Sequence, residues 1–374
     1  LDLVRVPADM FQLFVTTGVI NARFATLLSA MFTLTLTLLG AFSMSGLLKV
    51  RFRQVLRYLI VTAALLVLAV AGVRTLLLFS IDNVYDKDKV IADMQFMQRL
   101  VPETVYSEQP PAVELAPQGT RLQAIIDRGF LRVCYRQDDI PFSYINSSGE
   151  LVGLDIELLH YLAYDMKVKL ELVPATWTNL IEHLNQGYCD IATGQSMTPD
   201  GALRGAYSAP IRYRVFAALV KDHRRSEFAT RESIRNQEAP KFAIQPLDYY
   251  VQILSRAVPQ AQVEIIDSPR DFIDRPDDEL DAMFLSAEEA AAWSLLYPEY
   301  AAVVPTPRTV KIPAAFPLPH NEESLADYLK IWLDLKKQAG TIQQLYDYWV
   351  LGKQAEQQKQ HRWSVIRDVL HWVE

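Results

Sequence analysis

The chain has 374 residues, enough for two or three domains, and half of these residues are hydrophobic. Its formal net charge is −7, and no basic stripe or aromatic stacking platform is present, which excludes a nucleic-acid-binding protein. The six histidines and two cysteines lack the spacing of metal ligands, and no phosphate loop or hydrolase motif occurs, so we expect neither a metal nor a cofactor.

The N-terminal region predicts two transmembrane helices. Residues 24–48 carry no charge over 25 positions, and 58–73 form a second apolar run that continues past Arg74. Each run is long enough for a hydrocarbon core of ~30 Å. The segment between them carries four basic residues and no acid: Lys49, Arg51, Arg53 and Arg57. Short basic loops stay cytoplasmic, so we predict an inner-membrane protein with its C-terminal domain in the periplasm and the lipid bilayer as a partner. A buried globular helix is the alternative for the second run.

The segment 6–31, VPADMFQLFVTTGVINARFATLLSAM, is similar to the last membrane-helix region of dicarboxylate/amino acid:cation symporters. This resemblance implies that residues 1–81 are the end of a longer symporter-like domain. It also implies that Asn21 contributes to a transport site, that Na⁺ or H⁺ is a coupled partner, and that a homo-oligomer could form through the membrane part. An unrelated anchor hairpin is the alternative.

Residues 82–120 contain charges and four prolines with little periodicity, so we predict a short stem there, with a helical stretch near 87–100 followed by a linker. At the other end, 353–374 form a polar tail that closes in WSVIRDVLHWV. The spacing of its apolar residues predicts an amphipathic helix that lies on the membrane or docks on the transporter.

Between these regions the chain alternates short apolar runs with helical patterns. Strands are predicted at 131–135, 168–173 and 190–194, and helices from Asp155, placed to cap its helix, and over 176–185. This alternation predicts a parallel sheet, and ligands of such sheets sit in the crevice at the carboxyl ends of the strands. Residues 136–139 and 193–198 should therefore line a crevice.

The ordered motifs LRV, PFSY, GELVGLDIEL, WTNLIEHL, SMTP, YSAPI and ELDAMF, with the closing segment 321–352, resemble the family 3 extracellular solute-binding proteins. These proteins capture amino acids and related small solutes. The resemblance implies an α/β, two-lobe periplasmic-binding-protein fold of type II over 121–352. Lobe 1 would comprise 121–216 and 312–352, and lobe 2 would comprise 217–311. A chain that crosses twice between lobes can close on a hinge around a ligand.

Four positions depart from the family pattern. The arginine that clamps an amino acid carboxylate is Gly201 here, and the acid that holds the ammonium is Ser286. The family's G-T-T stretch, which offers hydrogen-bond donors, is replaced here by Pro-Leu-Asp at 246–248. The aromatic residue often found two positions before the PF pair is replaced by Asp139. Because charge-assisted hydrogen bonds are worth ~1.5–3 kcal/mol each, we expect no standard α-amino acid to be bound tightly.

The candidate ligand-binding residues are Arg136, Asp139, Trp177, Gly194, Ser196, Arg204, Asp248 and Ser286. The alternative for the charged residues is a solvated surface position, and the alternative for Trp177 is a packing role. Gly194 and Ser196 could instead form a plain strand-to-helix turn. Glu157 and the pair at 288–289 are interpreted as helix-surface residues. Cys134 and Cys189 fall on neighbouring strands. The sequence leaves two interpretations open: a disulfide, or two buried small residues that are not bonded.

These observations predict a membrane-anchored solute-binding domain that captures a small polar or carboxylated solute for a cation-coupled transporter. The alternative is a ligand-sensing regulatory module with no role in transport. Some proteins of this fold carry a murein-cleaving domain, and a few are dehydratases. No catalytic domain is recognised after Gly352, so we expect no enzyme.

Overall fold

The structure is a computed structural model that describes residues 29–38, 41, 44–45, 52–80, 87–113, 119–276, 279–307 and 311–353. The chain forms two compact units, 1–85 and 86–374. Asn21, the symporter-like segment up to residue 28 and the predicted tail helix lie outside the described residues.

The first unit contains helix α1 (29–38) and helix α2 (Phe52–Ser80). Within the described part of the chain, no helix has both the length and the apolar character needed to cross a membrane. The predicted transmembrane helices are therefore not found. The inner-membrane localisation that these helices imply is therefore not supported.

The second unit contains twelve further helices and fifteen strands among its described residues. The helices are α3 (Lys87–Ala92), α4 (Arg121–Arg128), α5 (Leu154–Met166), α6 (Leu180–Asn185), α7 (Pro199–Arg204), α8 (Arg225–Phe228), α9 (Arg231–Arg235), α10 (Asp248–Ala257), α11 (Pro269–Ile273), α12 (Ala287–Leu296), α13 (Glu323–Gln338) and α14 (Thr341–Trp349). The strands are β1 (Glu103–Val105), β2 (Phe130–Tyr135), β3 (Tyr144–Ile145), β4 (Leu151–Val152), β5 (Lys169–Pro174), β6 (Ile191–Ala192), β7 (Gln195–Ser196), β8 (Ala206–Tyr207), β9 (Arg212–Lys221), β10 (Lys241–Ile244), β11 (Gln262–Ile265), β12 (Ala282–Ser286), β13 (Tyr300–Val303), β14 (Lys311–Ala315) and β15 (Pro317–Leu318).

Lobe 1 is built on a parallel sheet in the order β1-β5-β2-β6. Leu131, Val133 and Leu172 are fully buried, as expected for strands covered on both faces. Cys134 and Cys189 form a disulfide between the end of β2 and the residue run before β6, with their Cα atoms 5.6 Å apart. The predicted strand–helix–strand series is confirmed, and the disulfide settles the two interpretations of the cysteines.

The PF turn and the start of helix α5 hold each other in place. The backbone N–H of Leu154 donates to the carbonyl of Pro141 at 3.1 Å, and that of Asp155 donates to the carbonyl of Phe142 at 3.0 Å. Gly153 has a φ of 130°, and a Cβ atom there would overlap the backbone of Phe142. Only glycine therefore fits this close approach.

Lobe 2 shares a seven-stranded sheet with the connection between the lobes, in the order β11-β10-β12-β9-β14-β7 with β13 also on β9. The ten-residue strand β9 pairs with β14 through its first half and with β12 and β13 through its second half. Because β9 belongs to both regions, a change in its twist would move one lobe against the other.

Part of the predicted stem packs on lobe 1. Strand β1 adds to the edge of the sheet beside β5, and Ile91 and Met94 are buried. The hydroxyl of Tyr144 donates to the carbonyl of Ile91 at 2.8 Å, and the hydroxyl of Tyr348 donates to that of Gln95 at 2.8 Å. Helix α3 also contacts helix α12 of lobe 2. Over 87–105 the chain is thus an ordered strap and not a free linker.

Glu157 shows why this strap matters to lobe 1. Its side chain is fully buried and accepts hydrogen bonds from the backbone of Gln98 at 2.9 Å and from the indole of Trp349 at 2.7 Å. Burial raises the pKa of Glu157, while these hydrogen bonds oppose the shift. The interpretation of Glu157 as a helix-surface residue is wrong, because its partners come from segments distant in the sequence.

Candidate functional site

Arg136 and Asp139 lie at the carboxyl end of β2, in the crevice that the strand pattern predicts. They are 4% and 2% exposed, so neither is a solvated surface charge. Their side chains form an ion pair, and the guanidinium of Arg136 lies 3.5 Å from the ring centroid of Trp177. Burial lowers the pKa of Arg136, although the nearby carboxyl groups oppose this shift. The structure therefore brings together three residues that the sequence nominated.

Glu289 enters the same crevice from lobe 2. Strand β12 ends at Ser286, which caps helix α12, and Glu289 occupies the third helical position of a capping box. The hydroxyl of Ser286 donates to Oε2 of Glu289 at 2.6 Å, and Glu289 is only 2% exposed. The interpretation of Glu289 as a surface residue is wrong. The S-x-x-E spacing after a buried strand was the signal that could have identified it.

Arg214, which the sequence analysis did not nominate, joins the two sides of the crevice. It lies on β9 and is 3% exposed. Its Nη2 donates to the carbonyl of Gly194 at 3.1 Å, and its guanidinium lies 3.9 Å from Asp139 and 3.8 Å from Glu289. Burial lowers the pKa of Arg214, but the surrounding carboxyl groups outweigh burial and raise it overall.

A second buried ion pair, between Arg212 and Asp155, is linked to Arg214 through the backbone of Gly194. Arg212 binds Asp155 with both terminal nitrogens, at 2.5 and 3.2 Å, and Asp155 also accepts the backbone N–H of Gly194 at 2.9 Å. The guanidinium groups of Arg212 and Arg214 lie 3.8 and 4.4 Å from the ring centroid of Phe142. Asp155 does not cap the helix, but it lies in the first helical turn, where its charge counters the helix dipole as the sequence also allows. The alternating I-R-Y-R run of β9 was the available signal, because alternate strand residues share a face.

The carboxyl groups of Asp139 and Glu289 lie beside the same guanidinium group, because Arg214 is 3.9 Å from Asp139 and 3.8 Å from Glu289. Burial raises the pKa of Asp139 to about 7, with Glu289 adding to the shift while Arg136 and Arg214 oppose it. Burial also acts to raise the pKa of Glu289, but Arg214 and Arg136 contribute to lowering it to about 2. The raised pKa favours the protonated form of Asp139, and the lowered pKa favours the ionised form of Glu289.

Side chains from both lobes fill most of the crevice. A cavity of about 20 Å³ remains, room for about one water molecule. It is lined by residues that include Ser196, Gln245, Tyr250 and Ser286. Tyr250 of lobe 2 and Ser196 on the lobe 1 side line this small cavity together. A larger cavity of about 270 Å³ adjoins Arg136 and Trp177 and also reaches Asp267 and Ser268 of lobe 2. The described conformation is closed.

The position of the missing family arginine is filled by another side chain. Gly201 lies in helix α7, and a Cβ atom there would overlap the hydroxyl of Tyr207. The hydroxyl oxygen of Thr198, the residue that caps α7, also lies only 3.0 Å from this Cβ position. Space beside Gly201 is therefore not available for a longer side chain unless Tyr207 moves.

Two nominated residues do not join the cluster in the described structure. Arg204 is exposed and pairs with Asp200 of its own helix at 2.6 Å, so it is a surface charge and not a substitute anchor. Asp248 is the first residue of α10, and its side chain lies outside the described set. Among the described residues, no group of histidine, cysteine and acidic side chains is placed to hold a metal ion.

Comparison with known proteins agrees with this geometry. The sequence profile of the bacterial extracellular solute-binding proteins, family 3, matches residues 131–352. The chain belongs to this family. It is 27% identical over 241 residues to the cyclohexadienyl dehydratase of Pseudomonas aeruginosa, an alignment that covers 64% of this chain and 89% of the dehydratase.

Solved structures show the same two-lobe fold. An ancestral amino acid-binding protein, a precursor of cyclohexadienyl dehydratase, is 28% identical with a TM-score of 0.56, and the match covers 61% of this chain and 99% of that one. The L-arginine-bound substrate-binding protein AbpA of Streptococcus pneumoniae is 20% identical with a TM-score of 0.55, covering 60% and 95% of the two chains. The latter likeness concerns the fold alone.

The expectation that the chain is not an enzyme is overturned by the similarity to cyclohexadienyl dehydratase. That expectation rested on finding no added catalytic domain. A dehydratase of this family shows that the solute-binding domain itself can carry catalysis, so the lack of an extra domain has no bearing on activity.

Proposed function

We propose that this protein closes its lobes around a small amino acid, with Arg214 and Arg136 binding the carboxylate and Glu289 binding the ammonium. The observation that carries this proposal is the position of Glu289 beside Ser286, since their oxygen atoms lie 2.6 Å apart. Glu289 restores an acid where the family acid is replaced by serine. Arg214 and Arg136 likewise supply cations in the absence of an arginine at Gly201.

Asp139 has a defined part in this proposal. Its carboxyl group pairs with Arg136 and faces Arg214 in the closed structure, which is how the carboxylate of a ligand would bind. A ligand that entered an open cleft would replace this contact with its own carboxylate. The expectation that amino acids bind weakly loses its basis, because the two charge-assisted contacts have substitutes.

Capture of the solute would serve uptake, as the family relationship and the amino acid-binding relatives suggest. The coupling of uptake to Na⁺ or H⁺, and a contribution of Asn21, are finer parts of the proposal that rest on the similarity of segment 6–31 to symporters. A regulatory role for closure is the alternative use of the same binding event.

The test is calorimetric titration of the full chain with L-arginine, L-lysine, L-glutamine and L-cystine. We expect at least one to bind, and Arg214→Met and Glu289→Gln each to weaken its affinity by about tenfold or more, because each removes a buried charge-assisted contact. Arg204→Gln is the matched control and should leave affinity unchanged. Equal binding by Arg214→Met and the wild type would refute the assignment.

A second candidate function is dehydration of a cyclohexadienyl compound, and the protonated Asp139 favours it. In a cyclohexadienol, Asp139 would give its proton to the leaving hydroxyl group, the carbon–oxygen bond would break, and water would depart. Glu289 would take the proton that the ring loses as it becomes aromatic. After the product leaves, the proton would pass from Glu289 to Asp139, so acid and base are both restored.

This candidate is tested with a carboxylated cyclohexadienol, by following the ultraviolet absorbance of the aromatic product. General acid catalysis contributes about 10²–10⁴-fold to rates, so Asp139→Asn should lose at least about a hundredfold in turnover. A turnover by Asp139→Asn equal to that of the wild type would exclude this acid. Amino acid binding without any turnover would leave the first proposal in place and remove the second.

A further inference from the structure

A cavity of about 170 Å³ lies in lobe 2, separate from the charged crevice. Its lining is mostly apolar and includes Phe216, Ile253, Ala257, Phe284 and Pro305. An apolar cavity of about 150 Å³ in another protein stays dry and accepts benzene, so this volume suits one aromatic ring. The rings of Phe216 and Phe284 are stacked at 5.4 Å with an angle of 16°, and they offer a flat wall to such a ring.

The edge of this cavity carries positive charge. Arg231 and Arg235 of helix α9 belong to the lining, and both residues are exposed to solvent. Nε of Arg235 donates to the carbonyl of Ala257 at 3.2 Å, which holds this guanidinium beside the end of α10. The apolar lining therefore suits an aromatic ring within the cavity, and the two arginines suit an anionic group at its edge.

The cavity also borders both connections between the lobes. Phe216 lies on β9, the first crossing, and Pro305 lies between β13 and β14, on the return crossing. Phe216 and Phe284 have a second role, because both also line the small cavity of the charged crevice. Phe216 stacks on Tyr250 at 5.5 Å, and Tyr250 lines the small crevice cavity together with Ser196 of the lobe 1 side.

We propose that this hinge cavity is a second ligand site, for a small aromatic carboxylate, and that its occupant changes the affinity of the crevice for its solute. The occupant would fix the positions of Phe216 and Pro305 and thereby bias the closing of the lobes. A ligand shifts a conformational equilibrium only when it binds the two states unequally, and the effect between two sites is reciprocal. The binding part of this inference is independent of the proposed function, whereas the coupling part rests on it.

The experiment titrates the full chain with benzoate and follows binding by calorimetry. We expect a dissociation constant of about 1 mM for so small a ligand. Ala257→Phe fills the cavity and should weaken binding by about tenfold or more. Ser255→Phe, at an exposed position of the same helix, is the matched control and should bind as the wild type does. Arg231→Gln should weaken benzoate about two- to fivefold and leave benzyl alcohol unaffected.

The crevice offers benzoate other arginines, and the same titration separates the two places. Loss of benzoate binding in Arg214→Met with full binding in Ala257→Phe would put benzoate in the crevice and overturn the inference. If Ala257→Phe does not fold, nuclear Overhauser contacts between benzoate and the methyl groups of Ile253 decide the matter, and their absence overturns it. Once a crevice solute is known, saturating benzoate should change its affinity by about fivefold or more; an unchanged affinity would remove the coupling alone.

Discussion

Asp139 of lobe 1 and Glu289 of lobe 2 both lie beside the guanidinium group of Arg214, at 3.9 and 3.8 Å. Arg136 forms an ion pair with Asp139, so two cations and two acidic groups are buried together in the crevice. A cation and an acid, the two charges missing at Gly201 and Ser286, are thus supplied by neighbouring elements. Both proposed functions use these four side chains.

The disulfide between Cys134 and Cys189 closes a loop with a sequence separation of 55 residues. Crosslinks of this size typically stabilise a protein by about 2–4 kcal/mol, largely by restricting the unfolded chain. We therefore expect the double substitution Cys134→Ala and Cys189→Ala to lower the free energy of unfolding by that amount in urea. An equal free energy of unfolding for the variant and the oxidised wild type would show that the disulfide is not formed in solution.

The strap 87–105 should be required for the full stability of lobe 1. The fragment 121–352 has the domain boundaries that the sequence predicts, but it lacks the strap. In this fragment Glu157 loses the N–H of Gln98, and His160 loses the carboxylate of Glu103, which is 2.6 Å away in the whole chain. A buried group left without its partner costs about 1–3 kcal/mol. We expect a fragment 87–353 to unfold at a clearly higher temperature than 121–352. Coincident thermal transitions would show that the strap adds nothing.

Substitution of Gly201 by arginine should not restore the family clamp. The new side chain would meet the hydroxyl of Tyr207, and overpacking of this kind costs about 1–3 kcal/mol. We expect Gly201→Arg to be destabilised, and the addition of Tyr207→Ala to recover part of the lost stability. The single variant Tyr207→Ala is the control. No recovery in the double variant would mean that the clash lies elsewhere.

The sequence predicts the scaffold of lobe 1 because local patterns determine it. The apolar run of β2 and the three-to-four-residue spacing from Ile156 identify a strand and a helix without any long-range information. The sequence does not predict strand β1, because a strand of three residues has no measurable period and its position depends on pairing with β5. The sequence therefore indicates a helical stretch near 87–100 followed by a linker, but not the packing of this strap on lobe 1.

The site was predicted only in part for the same physical reason. Arg136 and Asp139 follow a recognisable strand, and their place in the crevice follows from sheet topology. Glu289 and Arg214 reach that crevice through tertiary packing, which brings together residues far apart in the chain. For Arg204 the sequence leaves an anchor and a solvated surface charge open, and its exposed ion pair with Asp200 favours the surface charge.

The stability of the protein should depend on pH through Asp139. The pKa of this group is raised from 3.8 to about 7, so the folded state holds a proton that the unfolded state releases. Its contribution is therefore fully present below pH ~4 and is lost as the pH rises toward ~7. The size of this contribution is roughly 1.4 kcal/mol for each pH unit that separates the folded and unfolded pKa values. The lowered pKa of Glu289 acts in the opposite sense, adding stability as the pH rises from about 2 to 4.5.

Urea unfolding at about pH 5 and pH 8 isolates the Asp139 contribution, because Glu289 is ionised in both states at these values. We expect the wild type to lose a few kcal/mol more than Asp139→Asn between the two pH values, since the amide cannot release a proton. An identical pH dependence in the two proteins would contradict the raised pKa.

The most direct measurement is a titration of the Asp139 carboxyl carbon by ¹³C nuclear magnetic resonance in the full chain, assigned through the missing signal in Asp139→Asn. The structure predicts a midpoint of about 7 in the wild type, and a lower midpoint in Glu289→Gln because the neighbouring negative charge is gone. Arg204→Gln, on the surface, should leave the midpoint unchanged. A wild-type midpoint near the ordinary aspartate value of 3.8, unaffected by Glu289→Gln, would contradict the raised pKa of Asp139 and its electrostatic coupling to Glu289.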